Sequence, residues 1–161
     1  MSINVSGNFI LCEGNASRED ADFQNRFPAS IKQARVGFMR STTTSASTKD
    51  LVEVLYIELV NPVEHFEDLI RFFFSFHDPT TLNRQGADRG LAYASFIFCA
   101  DLEQLEIANR VKTELQRRID CGCVNCFSRA RIQTRVVNIT KFIEANEKDQ
   151  QYSRKNPKGY W

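Results

Sequence analysis

The stretch LVEVLYIELVNPVEHFEDLIRFFFSF, residues 51–76, constrains the fold more than any other part of the 161-residue chain. Its first ten residues are an apolar run of strand length, broken only by Glu53 and Glu58. The pattern then changes at Asn61-Pro62. Asn61 suits an N-cap, Pro62 suits the first helical position because its missing N–H would have no partner there, and Glu64 sits at N3. Val63, Phe66, Leu69, Ile70 and Phe73 follow at helical spacing. Phe72, Phe74 and Phe76 widen the apolar arc, so the helix is expected to be buried on more than one side.

The rest of the chain repeats this alternation. Asn8–Gly14 (NFILCEG) reads as a first strand and the stretch from Asn15 to Phe27 as a helix, with Asn15 or Ser17 as N-cap. Ala29–Met39 reads as a strand, and the Ser/Thr-rich segment Arg40–Asp50 as a connector. Leu91–Ala100 is a central-strand candidate. Asp101 caps a helix whose apolar stripe is Leu105, Ala108, Val111, Leu115 and Ile119. Arg131–Thr140 reads as the last strand, and 141–161 as a polar tail wrapping the surface. The order β-α-β-β-α-β-α-β fits an α+β two-layer, ferredoxin-like sandwich better than a doubly wound sheet. One domain over 1–161 is expected.

Composition narrows the partners. A net charge of +1 argues neither for a nucleic-acid surface nor for a membrane patch. No apolar run approaches the roughly 20 residues of a membrane helix, and the N-terminus lacks the pattern of a secretory signal. A cytoplasmic monomer is the expectation. The five cysteines, Cys12, Cys99, Cys121, Cys123 and Cys126, are an odd set for a disulfide framework in a reducing compartment.

Two motifs carry chemistry. HDPTTLNRQGADRG, His77 to Gly90, holds Asp78 and Asp88 between glycines that permit tight turns, with Tyr93 just beyond. An acid and a phenol there can hydrogen-bond a polar substrate oxygen. The plainer reading is a solvated loop with Asp caps. CGCVNC offers Cys121, Cys123 and Cys126. Thiolates so spaced suit zinc, although a structural site needs a fourth ligand. Cys123 and Cys126 can instead form a redox pair, or all three are unreactive loop thiols. His77 ends its helix and is expected to cap it.

FHDPTTLNRQGADRGLAYASFIF closely resembles the central signature of the methionine sulfoxide reductase A family, HDPT-x-x-NRQG-x-D-x-G-x-x-YRS-x-I. FIEANEKDQQYSRKNPKGYW is similar to the family's FY-x-AE-x-YHQ-x-Y…NP-x-GYC. LVEVLYI resembles the strand after its G-H-x-E. The resemblance covers nearly the whole chain. It implies a two-layer α/β core, recognition of the S epimer of methionine sulfoxide in peptides or free, no bound cofactor, and thioredoxin or another thiol as reductant.

Carried over by position, the signature Asp and Tyr fall on Asp88 and Tyr93, which would polarise or position the sulfoxide. The acid of G-H-x-E falls on Asp50, one methylene shorter. The family's G-C-F-W-G lands on GNASR, so Asn15 occupies the nucleophile position, and Ala16 and Ser17 replace its two aromatic walls. The resolving cysteine of GYC falls on Trp161. An amide cannot form the sulfenic acid that the chemistry needs. The expectation is a divergent member with impaired or lost reductase activity. The alternative is an active enzyme in which an insertion brings Cys12 to the site as nucleophile, with Asp50 as acid. A second alternative is a zinc-binding interaction module on Cys121, Cys123 and Cys126.

Overall fold

The structure is a computed structural model and describes residues 8–12, 16–41, 50–150 and 155; the side chains of 8–12 and 16–18 lie outside that description. The strands are β1 (Asn8–Cys12), β2 (Ile31–Arg40), β3 (Leu51–Leu59), β4 (Arg84–Gln85), β5 (Asp88–Arg89), β6 (Phe96–Cys99), β7 (Arg135–Asn138) and β8 (Phe142–Glu144). The helices are α1 (Ala16–Arg26), α2 (Pro62–Ser75) and α3 (Leu102–Asp120). Six strands form one sheet in the order β7-β6-β1-β3-β2-β8. Within it β6-β1-β3-β2, joined by α1 and α2, is the antiparallel ferredoxin-like core that the element order predicts. α3 crosses over to β7, which runs parallel to β6.

Side-chain alternation sorts the sheet into two faces. Leu55, Ile57 and Leu59 of β3, with Ile97 and Cys99 of β6, join the helices in the larger core cluster. Val52 and Val54, with Phe96 and Phe98, face the other way into a smaller cluster. α2 buries Phe66, Leu69, Ile70, Phe73 and Phe74. Its Phe72 turns toward α1 and meets Phe23 edge-on, with centroids 5.1 Å apart. The helix is thus packed on two sides, as its wide apolar arc requires.

Three details differ from the sequence reading. Asn61 does not cap α2 through its side chain; its Nδ2 donates to Glu64 Oε2 at 2.9 Å instead. The central strand starts only at Phe96, because Leu91–Tyr93 forms a 3-10 turn. The tail does more than wrap the surface: Phe142–Glu144 pairs with β2 at Gly37–Met39. Gly37 permits this approach, since a Cβ there would sit 2.4 Å from the Ile143 carbonyl oxygen. Asp101 caps α3 as expected, accepting from the Gln104 amide at 2.8 Å.

Candidate functional site

Topology gathers the candidate residues at one end of the sheet. β1 is antiparallel to both β3 and β6, so the C-terminal end of β1 lies with the N-terminal ends of its neighbours. Cys12 pairs with Phe96 in backbone register, Asp50 immediately precedes β3, and Tyr93 closes the 3-10 turn before β6. α2 and α3 both return the chain to this end, delivering His77, Asp78 and the cysteine loop.

Tyr93 lines a hollow of about 300 Å³ with His77, Asp78, Ser95 and Ser128 among its walls. Asp50 and Asp88 do not line it. Asp88 is exposed in β5, opposite Gln85 of β4. Asp50 uses its carbonyl to accept from the Ser41 amide at 2.9 Å. The expected trio therefore shares one end of the fold, but only Tyr93 faces this hollow. Asn15 and Trp161 lie outside the described residues, as does the Cys12 side chain.

The floor of the hollow is a network that the sequence reading missed. His77 Nδ1 donates to the Phe73 carbonyl at 2.7 Å. That bond leaves Nε2 of the neutral ring as acceptor for the Ser95 hydroxyl at 2.8 Å. Ser95 also meets Thr134 Oγ1 at 2.7 Å. Burial pushes the His77 pKa down to about 4, against the opposing pull of the Phe73 carbonyl and Asp78. The Ser95–His77 contact resembles the serine–histidine pair of a hydrolytic site. Its histidine is oriented by a backbone carbonyl rather than a carboxylate, and its serine is buried and held by Thr134. These groups shape a polar wall, and His77 caps α2 as its position suggests.

Asp78 ties two loops together. One carboxylate oxygen accepts from the Thr80 amide and hydroxyl. The other accepts from the Ser128 amide at 3.0 Å and hydroxyl at 2.6 Å. Burial would raise its pKa, but these bonds outweigh burial and hold it down at about 2. Asp78→Ala is expected to lower stability by about 2 kcal/mol, because the buried Thr80 loses its acceptor. Chemical denaturation measures that loss, and hydrogen exchange should show residues 126–131 newly unprotected.

The cysteine loop follows α3. Cys121, Cys123 and Cys126 are exposed and unbridged. The thiols of Cys121 and Cys123 interact: hydrogen bonding to Cys123 lowers the Cys121 pKa, and the same bond raises that of Cys123. Among the described residues no group of three His, Cys, Asp or Glu could hold a metal ion. Cys99 is buried in the core, and burial pushes its pKa up to about 12, so it is an unreactive packing residue. No helix among the described residues is long and apolar enough to cross a membrane.

A ferredoxin-like α+β sandwich with a polar hollow at the end of its central strands defines the structural class. Within that class, the peptide methionine sulfoxide reductase family model matches residues 21–161. A probable peptide methionine sulfoxide reductase of Schizosaccharomyces pombe is 34% identical over 139 residues, covering 82% of this chain and 78% of that protein. The reduced form of Mxr1 from Saccharomyces cerevisiae superimposes with a TM-score of 0.78 at 29% identity, covering 96% of this chain and 87% of that one. Methionine sulfoxide reductase A of Corynebacterium diphtheriae has the same fold, with a TM-score of 0.77 at 21% identity over 99% of this chain and 79% of its own. The chain belongs to the peptide methionine sulfoxide reductase family. The matched region begins at residue 21, beyond both Cys12 and Asn15.

Proposed function

We propose that this chain is a divergent family member that keeps a polar pocket around Tyr93 and has impaired or lost reductase turnover. The observation that supports the reading is the lining of the hollow: it includes Tyr93 but neither Asp50 nor Asp88. A sulfoxide oxygen seated there can accept from the Tyr93 hydroxyl but meets neither of those acids to protonate it as sulfur is attacked. The substitutions at Asn15, Ala16, Ser17 and Trp161 point the same way, since they remove the in-register thiol, both aromatic walls and the resolving thiol.

A second reading is supported by the sheet register. The Cys12 backbone lies at the same end as Tyr93 and the cysteine loop. An active enzyme would use Cys12 as nucleophile, Asp50 as acid, Asp88 and Tyr93 as positioning groups, and thioredoxin or a small thiol as reductant. Its sulfenic acid would be resolved by a loop thiol.

One assay separates the two. The protein is incubated with methionine-S-sulfoxide and dithiothreitol, and methionine is quantified for the parent chain and for Cys12→Ser. Our reading expects little or no enzyme-dependent methionine from either. Turnover abolished by Cys12→Ser would establish the second reading, and turnover surviving it would reject Cys12 as nucleophile.

A further inference from the structure

Beside the Tyr93 hollow lies a second one, of about 410 Å³, whose walls carry Arg84, Arg89, Arg129 and Arg131. Among the described residues no carboxylate lines it, and Asp78, Asp88 and Asp120 are all outside its walls. Among the described residues none of the four guanidinium groups is in an ion pair. Arg84 Nε donates only to the Gly86 carbonyl, at 2.7 Å. Such a concentration of one sign stands out on a chain with a net charge of +1.

Two separately anchored elements bring these arginines together. In the β4–β5 hairpin, Arg84 and Arg89 are direct cross-strand partners. Like charges placed so are unfavourable for the hairpin itself. Arg129 and Arg131 come from the segment after the cysteine loop. That segment is pinned by Ser128 on Asp78, by the Arg129 amide on Thr80 Oγ1 at 3.1 Å, and by the Gln133 amide on the Pro79 carbonyl at 2.7 Å. These bonds hold the segment against residues 78–80, just before the hairpin, and use none of the Arg129 or Arg131 guanidinium nitrogens.

We propose that this hollow binds the acidic side chains of a peptide whose methionine sulfoxide occupies the neighbouring Tyr93 hollow. Thr81 and Arg84 line both hollows, so the two form one continuous surface. An occupant filling both must be extended, and a polypeptide carrying the oxidised residue is such an occupant. Guanidinium forks match carboxylates in geometry and charge. The inference rests on the sulfoxide-site reading for the identity of the peptide, but the arginine hollow can be tested without it.

The test uses fluorescence anisotropy with four labelled peptides. Each has a central methionine or methionine-S-sulfoxide, flanked by either Asp/Glu or Asn/Gln. Binding is measured to the parent protein, to Arg129→Gln/Arg131→Gln, and to Lys32→Gln as a remote charge control. The acid-flanked peptides should bind about tenfold more tightly or better, as expected for a charge-assisted bond of roughly 1.5–3 kcal/mol. The advantage should vanish in the double arginine variant and survive in the lysine variant. Equal affinity for acidic and amide flanks, or an advantage that persists in the double variant, would overturn the proposal. An acid preference that ignores oxidation of the methionine would keep the arginine hollow and reject the sulfoxide pocket. A sulfoxide preference without an acid preference would do the reverse. Circular dichroism melts confirm that each variant is folded; Arg129 and Arg131 are exposed, so their side chains are not part of the core.

Discussion

Phe73→Ala is expected to lower the unfolding free energy by about 3–5 kcal/mol. Phe73 is fully buried at the junction of α2 with the sheet. Its ring packs against those of Phe74, Phe76 and His77, with centroids 5.7, 5.9 and 4.4 Å away. Removing it opens a cavity that these neighbours, themselves fixed by other contacts, can fill only in part. His77 would also lose the ring against which its imidazole rests, beside the wall of the Tyr93 hollow. The loss should appear as a lower urea midpoint with an unchanged slope. Val63→Ala is the matched control: Val63 lies on the same helix at 62% exposure, and its replacement should change stability by less than about 0.5 kcal/mol. A Phe73 effect as small as the control would refute the packing of α2 described above.

The parts of this fold that were legible in the sequence are those where local pattern and tertiary need agree. The 51–76 segment announced a strand and a doubly buried helix because its apolar spacing changes sharply at Asn61-Pro62, and β3 and α2 follow it closely. Asp101 was legible as a cap because it stands directly before the helical pattern, and its carboxylate accepts from the Gln104 amide. Asn61 was not, because a glutamate at N3 drew its amide away from the backbone. Strand β8 carries no periodic signal. It forms because Gly37 lets a neighbouring backbone come close, a fact about two segments that are far apart in the chain. The candidate site follows the same rule. Tyr93 was placed by the resemblance of its surroundings to a known signature. The His77–Ser95–Thr134 network and the arginine hollow depend on how α2, β6 and the loop after α3 are brought together, and spacing within any one of them does not reveal it.

Acidification is expected to weaken the fold in two separable windows, together by about 4 kcal/mol. His77 acts first. Burial holds its folded pKa near 4, whereas the unfolded group titrates near 6.5. Between those values the unfolded chain binds the extra proton, so stability is complete above about pH 6.5 and falls as the pH drops toward 4. The full shift corresponds to roughly 3 kcal/mol. Asp78 acts below that. Burial favours its neutral form, but the bonds from Ser128 and Thr80 to the charged carboxylate prevail and place the folded pKa at about 2, against 3.8 when unfolded. Its contribution is present above about pH 4 and disappears as the pH falls to 2. Because the group is partly solvated, about 1 kcal/mol is the appropriate size. Urea midpoints at pH 7, 5, 4 and 2.5 resolve both windows. His77→Asn retains a donor for the Phe73 carbonyl but does not titrate, so the slope between pH 6.5 and 4 should flatten while the lower window remains. Asp78→Asn should flatten only the lower window. An unchanged upper slope in His77→Asn would mean that the imidazole is charged in the folded protein, and the neutral hydrogen-bonded wall assigned to the Tyr93 hollow would then be wrong.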